Sequence, residues 1–167
     1  MDLVLPLSRK SKIILTVGSA IFCLDRLTKL LVARDMTPGE SLRVIKGFFD
    51  ITLVHNTGAA FGIMAYAPES LRLPFLLVSA VLAVLLLLYF VRKTEENESL
   101  TLVALAMVIG GAAGNIADRA ALGYVIDFID WHAREFYHWP AFNIADSGIT
   151  VGVFLLGYEF LVRKKTG

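Results

Sequence analysis

A helix crosses a bilayer with about 20 mostly apolar residues, because each residue advances it by about 1.5 Å through roughly 30 Å of hydrocarbon. This chain carries four such stretches, at about 13–33, 73–91, 100–117 and 142–162. In lipid every backbone N–H and C=O must be bonded internally, so four spans of this length predict an all-α membrane protein with four transmembrane helices. Composition agrees, since 56% of the 167 residues are hydrophobic and the mean hydropathy is +0.66, far above an ordinary soluble domain. No repeat, low-complexity stretch or linker divides residues 1–167, which read as one domain.

The spans differ in character. The second is free of ionisable groups, with Pro74 expected in its first turn, where a missing N–H costs little. The third contains Gly110-Gly111-Ala112-Ala113-Gly114, a small-residue patch that predicts a tight helix crossing. Arg9, Lys10, Lys12, Arg92, Lys93, Arg163, Lys164 and Lys165 crowd the span ends on one side, whereas Arg34, Arg43, Lys46, Arg72, Arg119 and Arg134 are dispersed among acids on the other. That bias predicts cytoplasmic termini and two outward loops.

The first outward loop, about 34–72, is too long for a helix hairpin. Its Val-, Ile-, Phe- and Thr-rich centre around Gly47 predicts a small antiparallel sheet over about 41–62, with a turn at Asn56-Thr57-Gly58. The second, about 118–140, ends in Trp131, Phe136, Tyr137 and Trp139, aromatics expected to anchor at the water–lipid boundary.

Several function classes fall away. A net charge of +1 without a basic patch gives no footprint for nucleic acid. His55, His132 and His138 have no metal-ligand spacing, and the single Cys23 has no partner, so neither a metal nor another cofactor is expected. Cys23 follows a basic and apolar stretch as a lipoprotein leader would, but Phe22 is too bulky for the cleavage site. The segment reads as a retained anchor with Cys23 a buried hydrophobe.

An acid inside a span costs about 2.5 to 3.5 kcal/mol on insertion scales and calls for a partner or a task. Asp25 has Lys29 one turn on, the spacing of an ion pair, and Glu159 has Arg163. Asp146 has no cation at helical spacing and is surrounded by Asn143, Ser147 and Thr150. Topology puts it on the same membrane face as Asn56, Asn115, Asp118, Arg119 and Asp127. Two carboxylates brought together share a proton, so one can activate water while the other donates to a peptide carbonyl. Asp127 with Asp146 is one such pairing, with Asp118 and Asp130 as competitors for the first place. Asp118 reads as a structural partner of Arg119. A proton-coupled transporter relaying through Asp25 and Asp146, and an assembly factor whose polar residues merely join helices, are the rival readings.

Four segments of the chain resemble motifs of the lipoprotein signal peptidases (signal peptidase II). They are Asn56-Thr57-Gly58-Ala59-Ala60-Phe61-Gly62, the run from Gly110 through Asn115-Ile116-Ala117-Asp118-Arg119, Gly123-Tyr124-Val125-Ile126-Asp127-Phe128, and Phe142-Asn143-Ile144-Ala145-Asp146-Ser147. Asp25-Arg26-Leu27-Thr28-Lys29 fits the family's Asp-x-x-x-Lys. The resemblance covers nearly the whole chain. It implies a multi-pass protein of the bacterial inner membrane with its active site near the periplasmic face. The implied activity is that of an aspartic endopeptidase cutting diacylglyceryl-modified prolipoproteins before their lipobox cysteine, in contact with membrane lipid and blocked by globomycin-type inhibitors. It assigns catalysis to Asp127 and Asp146, and substrate binding or dyad support to Asn56, Gly58, Asn115, Arg119, Asn143, Asp25 and Lys29. It also implies an extracytoplasmic β-cradle and a short periplasmic helix beside the four spans.

Overall fold

The computed structural model describes residues 7–58, 64, 67–133 and 137–166. In chain order these form α1 (Arg9–Asp35), β1 (Ser41–Ile45), β2 (Phe49–Asn56), α2 (Glu69–Lys93), α3 (Ser99–Leu122), β3 (Val125–Ala133), β4 (Tyr137–His138) and α4 (Ile144–Thr166). All four expected spans are helices, each extending beyond one or both of the predicted ends. Because α2 begins at Glu69, Pro74 lies past the first turn and deprives the Ser70 carbonyl of an intrahelical donor.

By length and composition, α2, α3 and residues Ile144–Val162 of α4 are apolar enough to cross a membrane, with mean hydropathies of 2.7, 1.9 and 1.4. Helix α1 is the longest at 27 residues, but Asp25, Arg26 and Lys29 interrupt its apolar face. The interruption is internal to the protein, since Asp25 and Lys29 are both 0% exposed. Leu24, Leu27 and Leu30 occupy the outward side of the same turns. Cys23, expected to be buried, is exposed on this helix.

Helix α3 is the hub, packing against α1, α2 and α4. The glycine patch explains how. A Cβ on Gly110 would collide with the Gly18 carbonyl of α1, and one on Gly111 with the Ala145 carbonyl of α4. Only glycine lets three backbones approach this closely. By contrast α2 is almost wholly exposed and carries its apolar side chains outward, as a lipid-facing helix must.

The fold is not all-α. Strands β1, β2, β3 and β4 form an antiparallel sheet in that order. The sequence predicts β1 and β2, but β3 lies in the loop read only as an aromatic anchor. Val125-Ile126-Asp127-Phe128-Ile129 is rich in β-branched and aromatic residues, and its first four positions are buried. Gly123 makes the entry possible. At φ +82° it caps α3, donating its N–H to the Arg119 carbonyl at 3.1 Å, and turns the chain at once into the strand. Among the described residues no helix stands beyond α1–α4, so the implied short periplasmic helix is not found there. Residues 59–62 of the Asn56 motif, and Phe136, lie outside the described residues.

Candidate active site

The start of α4 organises the site. Asn143 is its N-cap: Oδ1 accepts the Asp146 N–H at 2.9 Å, while Asp146 Oδ2 accepts the Asn143 N–H at 3.3 Å. This is a reciprocal capping box with aspartate in the third helical position. It fixes Asp146 at two points, its backbone N–H and one carboxylate oxygen, through one neighbour. Asn115 of α3 adds a third restraint, its Nδ2 donating to Asp146 Oδ1 at 2.8 Å.

The same asparagine reaches Asp127. Asn143 Nδ2 lies 2.7 Å from Asp127 Oδ1, and 3.2 Å from both Asn115 Oδ1 and the Ile126 carbonyl. Asp127 Oδ2 accepts from Asn56 Nδ2 at 2.9 Å. Asn56 is set in turn by its Oδ1, which receives the Gly58 N–H at 3.0 Å. Sheet register explains the meeting: β2 runs antiparallel to β3 with Asn56 opposite Val125 and Val54 opposite Asp127. The chain just before α4 is clamped to β3, since the Phe128 and Ile129 N–H groups both donate to the Phe142 carbonyl. Residues from β2, β3, α3 and α4 thus converge although they span positions 56 to 146.

Beneath this layer lies a buried ionic cluster. Lys29 Nζ sits 2.8 Å from Asp25 Oδ2 and from Asp118 Oδ2, and donates to Asn115 Oδ1 at 3.0 Å. Arg26 pairs with Asp118. Two cations and two carboxylates cancel, as charges excluded from water require. Both carboxylates also take backbone donors: Asp25 Oδ1 binds the Ala145 N–H at 2.9 Å and Asp118 Oδ2 the Ile126 N–H at 3.2 Å. The cluster therefore grips both stretches of chain that bear the acids, one residue before Asp127 and one before Asp146. Asp118 is structural, as expected, but its partners are Arg26 and Lys29 in place of Arg119. Arg26 has no role in the sequence reading; its position next to Asp25, three residues from Lys29, is the signal that marks it.

Arg119 faces elsewhere. Its Nη2 donates to the Gly58 carbonyl at 3.0 Å, and its Nε is buried without a hydrogen-bond partner among the described residues. It lines a cavity of about 590 Å³ together with Asn56, Asn115, Asp127 and Asp146. Trp131, Trp139, Phe142 and Ile149 form the apolar wall. The two tryptophans read as interfacial anchors in the sequence, and their place between the two acids along the chain is the signal that links them to the site.

Asp127 is 1% exposed. Burial first, and then the negative charge of Asp146, push its carboxyl from the ordinary 3.8 up to about 7, against the opposing effects of the Asn56 and Asn143 hydrogen bonds and of Lys29. Asp130, the competing acid, lies outside this group, accepting from Thr52 Oγ1 at 3.0 Å. His55 stacks on Tyr124 with ring centroids 4.0 Å apart. Among the described residues no group of histidine, cysteine and acids has the arrangement of a metal site.

Comparison with known proteins gives the family and the overall fold. The family model described as signal peptidase (SPase) II matches residues 17–162. The lipoprotein signal peptidase of Syntrophotalea carbinolica is 43% identical over 87% of this chain and 88% of its own. That of Geobacter sulfurreducens is 44% identical over 89% and 90%, and that of Pseudomonas aeruginosa 38% over 88% and 86%. A bacterial membrane enzyme solved in meso at 2.3 Å resolution superposes with a TM-score of 0.81, at 33% identity, over 92% of this chain and 90% of that one. A second, at 1.9 Å, gives 0.77 at 33% identity over 89% and 92%. The rival transporter and assembly-factor readings are thereby set aside: this chain belongs to the signal peptidase II family and is a membrane-spanning aspartic protease.

Proposed function

We propose that the protein removes the signal peptide from diacylglyceryl-modified prolipoproteins, cutting before the lipid-bearing lipobox cysteine with Asp127 and Asp146 as the catalytic pair. The observation that carries this is the single Asn143 side chain, which binds Asp127 through Nδ2 and Asp146 through Oδ1 and so ties both acidic residues into one unit. Asp127, with its carboxyl raised to about 7 by burial and by its neighbour, holds the proton. Asp146 takes a proton from water as the water oxygen attacks the scissile carbonyl carbon. Asp127 donates its proton to the developing oxyanion. Collapse of the tetrahedral intermediate breaks the C–N bond as the C=O re-forms; the hydroxyl proton returns to Asp127, and the proton gained by Asp146 passes to the leaving amine, restoring the pair. No covalent intermediate or metal enters. Arg119 Nε, buried and aimed at no other partner among the described residues, donates to a backbone carbonyl of the bound peptide, and Asn115 holds Asp146 in line.

Helix α1 completes a fourth span in this reading. Its 27 residues reach roughly 40 Å at about 1.5 Å each, and its charged groups are shielded within the bundle. The basic ends at Arg9–Lys12 and Arg92–Lys93 support a reading with both termini in the cytoplasm and the sheet outside, in the inner membrane of a bacterium. A diacylglyceryl substrate is already confined to the outer leaflet, so a site at that edge meets its scissile bond without drawing it to the bilayer centre.

Asp127→Asn and Asp146→Asn, each assayed on a diacylglyceryl prolipoprotein in detergent, test the pairing. Each isosteric change is expected to lower turnover on the order of 10²–10⁴-fold, while globomycin binding and thermal stability report an intact fold. Near-normal turnover in either variant refutes the dyad.

A further inference from the structure

At the end of the bundle away from the two catalytic aspartates, α1 and α2 border a cleft of about 490 Å³ that the reaction does not use. Lys10 stands nineteen positions before Lys29 of the active-site layer on α1, roughly 28 Å at about 1.5 Å per residue. The cleft is divided by chemistry. Leu7, Ile14, Leu15 and Val91 supply its apolar lining, and Lys10, Ser11 and Arg92 supply its polar groups. Lys10 Nζ donates to the Arg92 carbonyl at 3.3 Å, joining the start of α1 to the last turn of α2. The Arg92 guanidinium makes no hydrogen bond or ion pair of its own among the described residues. Among the described residues no acidic side chain lines the cleft.

We infer that this cleft binds one anionic glycerophospholipid, with its phosphodiester against Lys10, Ser11 and Arg92 and its acyl chains along Ile14, Leu15 and Val91. A guanidinium fork, an ammonium and a hydroxyl lining one cleft offer a phosphodiester both charge and directed donors. Ile14 and Leu15 lie one turn further along α1 than Lys10 and Ser11, where the ester-linked chains of such a lipid start. Basic pockets between helices at a membrane surface take anionic headgroups in this way. A zwitterionic lipid brings its own cation against Arg92 and Lys10, and a soluble anion leaves the apolar wall empty. Charge and apolar surface together therefore favour an anionic lipid over both. The inference stands apart from the catalytic assignment, because it uses neither aspartate nor the outer cavity.

The test uses the full chain in nanodiscs of phosphatidylcholine with a minority of phosphatidylglycerol, transferred to mild detergent for native mass spectrometry. Wild type is expected to retain one phosphatidylglycerol in preference to phosphatidylcholine. Lys10→Ala with Arg92→Ala should cut that retention by roughly tenfold or more, and the exposed Arg43→Ala of β1 should leave it unchanged. Leu15→Trp, which fills the cleft while keeping both cations, should also abolish retention. Equal retention of the two lipids by wild type, or undiminished retention by the double variant, overturns the inference. Loss in the double variant with full retention in Leu15→Trp also overturns it, since the lipid would then be held by surface charge alone.

Discussion

Replacing Asp127 with asparagine separates a buried proton from the rest of the molecule's pH response. In the folded chain the Asp127 carboxyl sits at about 7, against an ordinary value of 3.8. Because the folded pKa lies above the unfolded one, the folded state binds more protons between those limits. The native state is then best favoured below about pH 4 and loses stability as pH rises towards 7. Each pH unit across that interval costs about 1.4 kcal/mol, giving about 4 kcal/mol in all and between about 2 and 3 kcal/mol from pH 5 to pH 8. A side-chain amide at this position cannot titrate, so the variant lacks this slope whatever constant offset its altered hydrogen bonds add. The measurement is unfolding free energy, or apparent Tm, against pH for both proteins in the same detergent; the readout is their difference, which cancels the other titrating groups. In wild type, turnover should fall as pH passes upward through about 7, because the ionised Asp127 no longer has a proton to donate. A difference curve flat from pH 5 to 8, or a wild type that gains stability relative to the variant as pH rises, would refute the buried protonated carboxyl.

Three further changes probe the scaffold. Asn143→Ala removes the α4 cap and the amide joining both acids, and should cost about 1–3 kcal/mol with turnover falling more steeply than stability, read by thermal unfolding beside a cleavage assay. Gly114→Ala places a Cβ 2.5 Å from Asp25 Oδ2 and should destabilise by about 1–3 kcal/mol; Gly157→Ala, with nothing within 4 Å, should be neutral or slightly stabilising. Lys29→Met leaves Asp25 and Asp118 buried without their shared cation, and should cost about 3–5 kcal/mol, enough for expression of folded protein in membranes to report it.

Hydropathy makes the four long helices legible in the sequence, because span length is dictated by the solvent. The Asp25–Lys29 pair is legible from helical spacing alone, and the Gly110–Gly114 patch from its lack of side chains. Strand β3 is harder to read. Val125-Ile126-Asp127-Phe128 offers no alternation of apolar and polar residues, since this half of the strand is covered on both faces and the acid within it is itself buried. The long-range partner of Asp118 is also illegible: Arg119 is next in sequence, but successive residues on a helix point about 100° apart, and the cations that meet Asp118 come from α1. The capping box can be read locally as Asn-x-x-Asp before an apolar run, whereas the second use of Asn143 depends on the sheet delivering Asp127 to it.

That double use sets the chemistry. The two acids are of one type, yet they stand in opposite surroundings. Asp146 lies in the first turn of α4, where unpaired N–H groups and the positive end of the helix dipole favour negative charge. Asp127 lies on a covered strand, where burial disfavours it. Asn143 spans the two and binds both, so the arrangement is asymmetric before substrate arrives, and in the proposed reaction the base and the acid are chosen by the backbone elements that carry them. Lengthening either side chain is therefore not equivalent even though both positions hold aspartate. Asp146→Glu keeps an acid that can still reach the Asn143 N–H from the third helical position but shifts the carboxylate away from Asn115, whereas Asp127→Glu must bury an extra methylene between Asn56 and Asn143. Both should lose turnover, but only the second should also destabilise the fold, by about 1–3 kcal/mol, visible as a lower Tm.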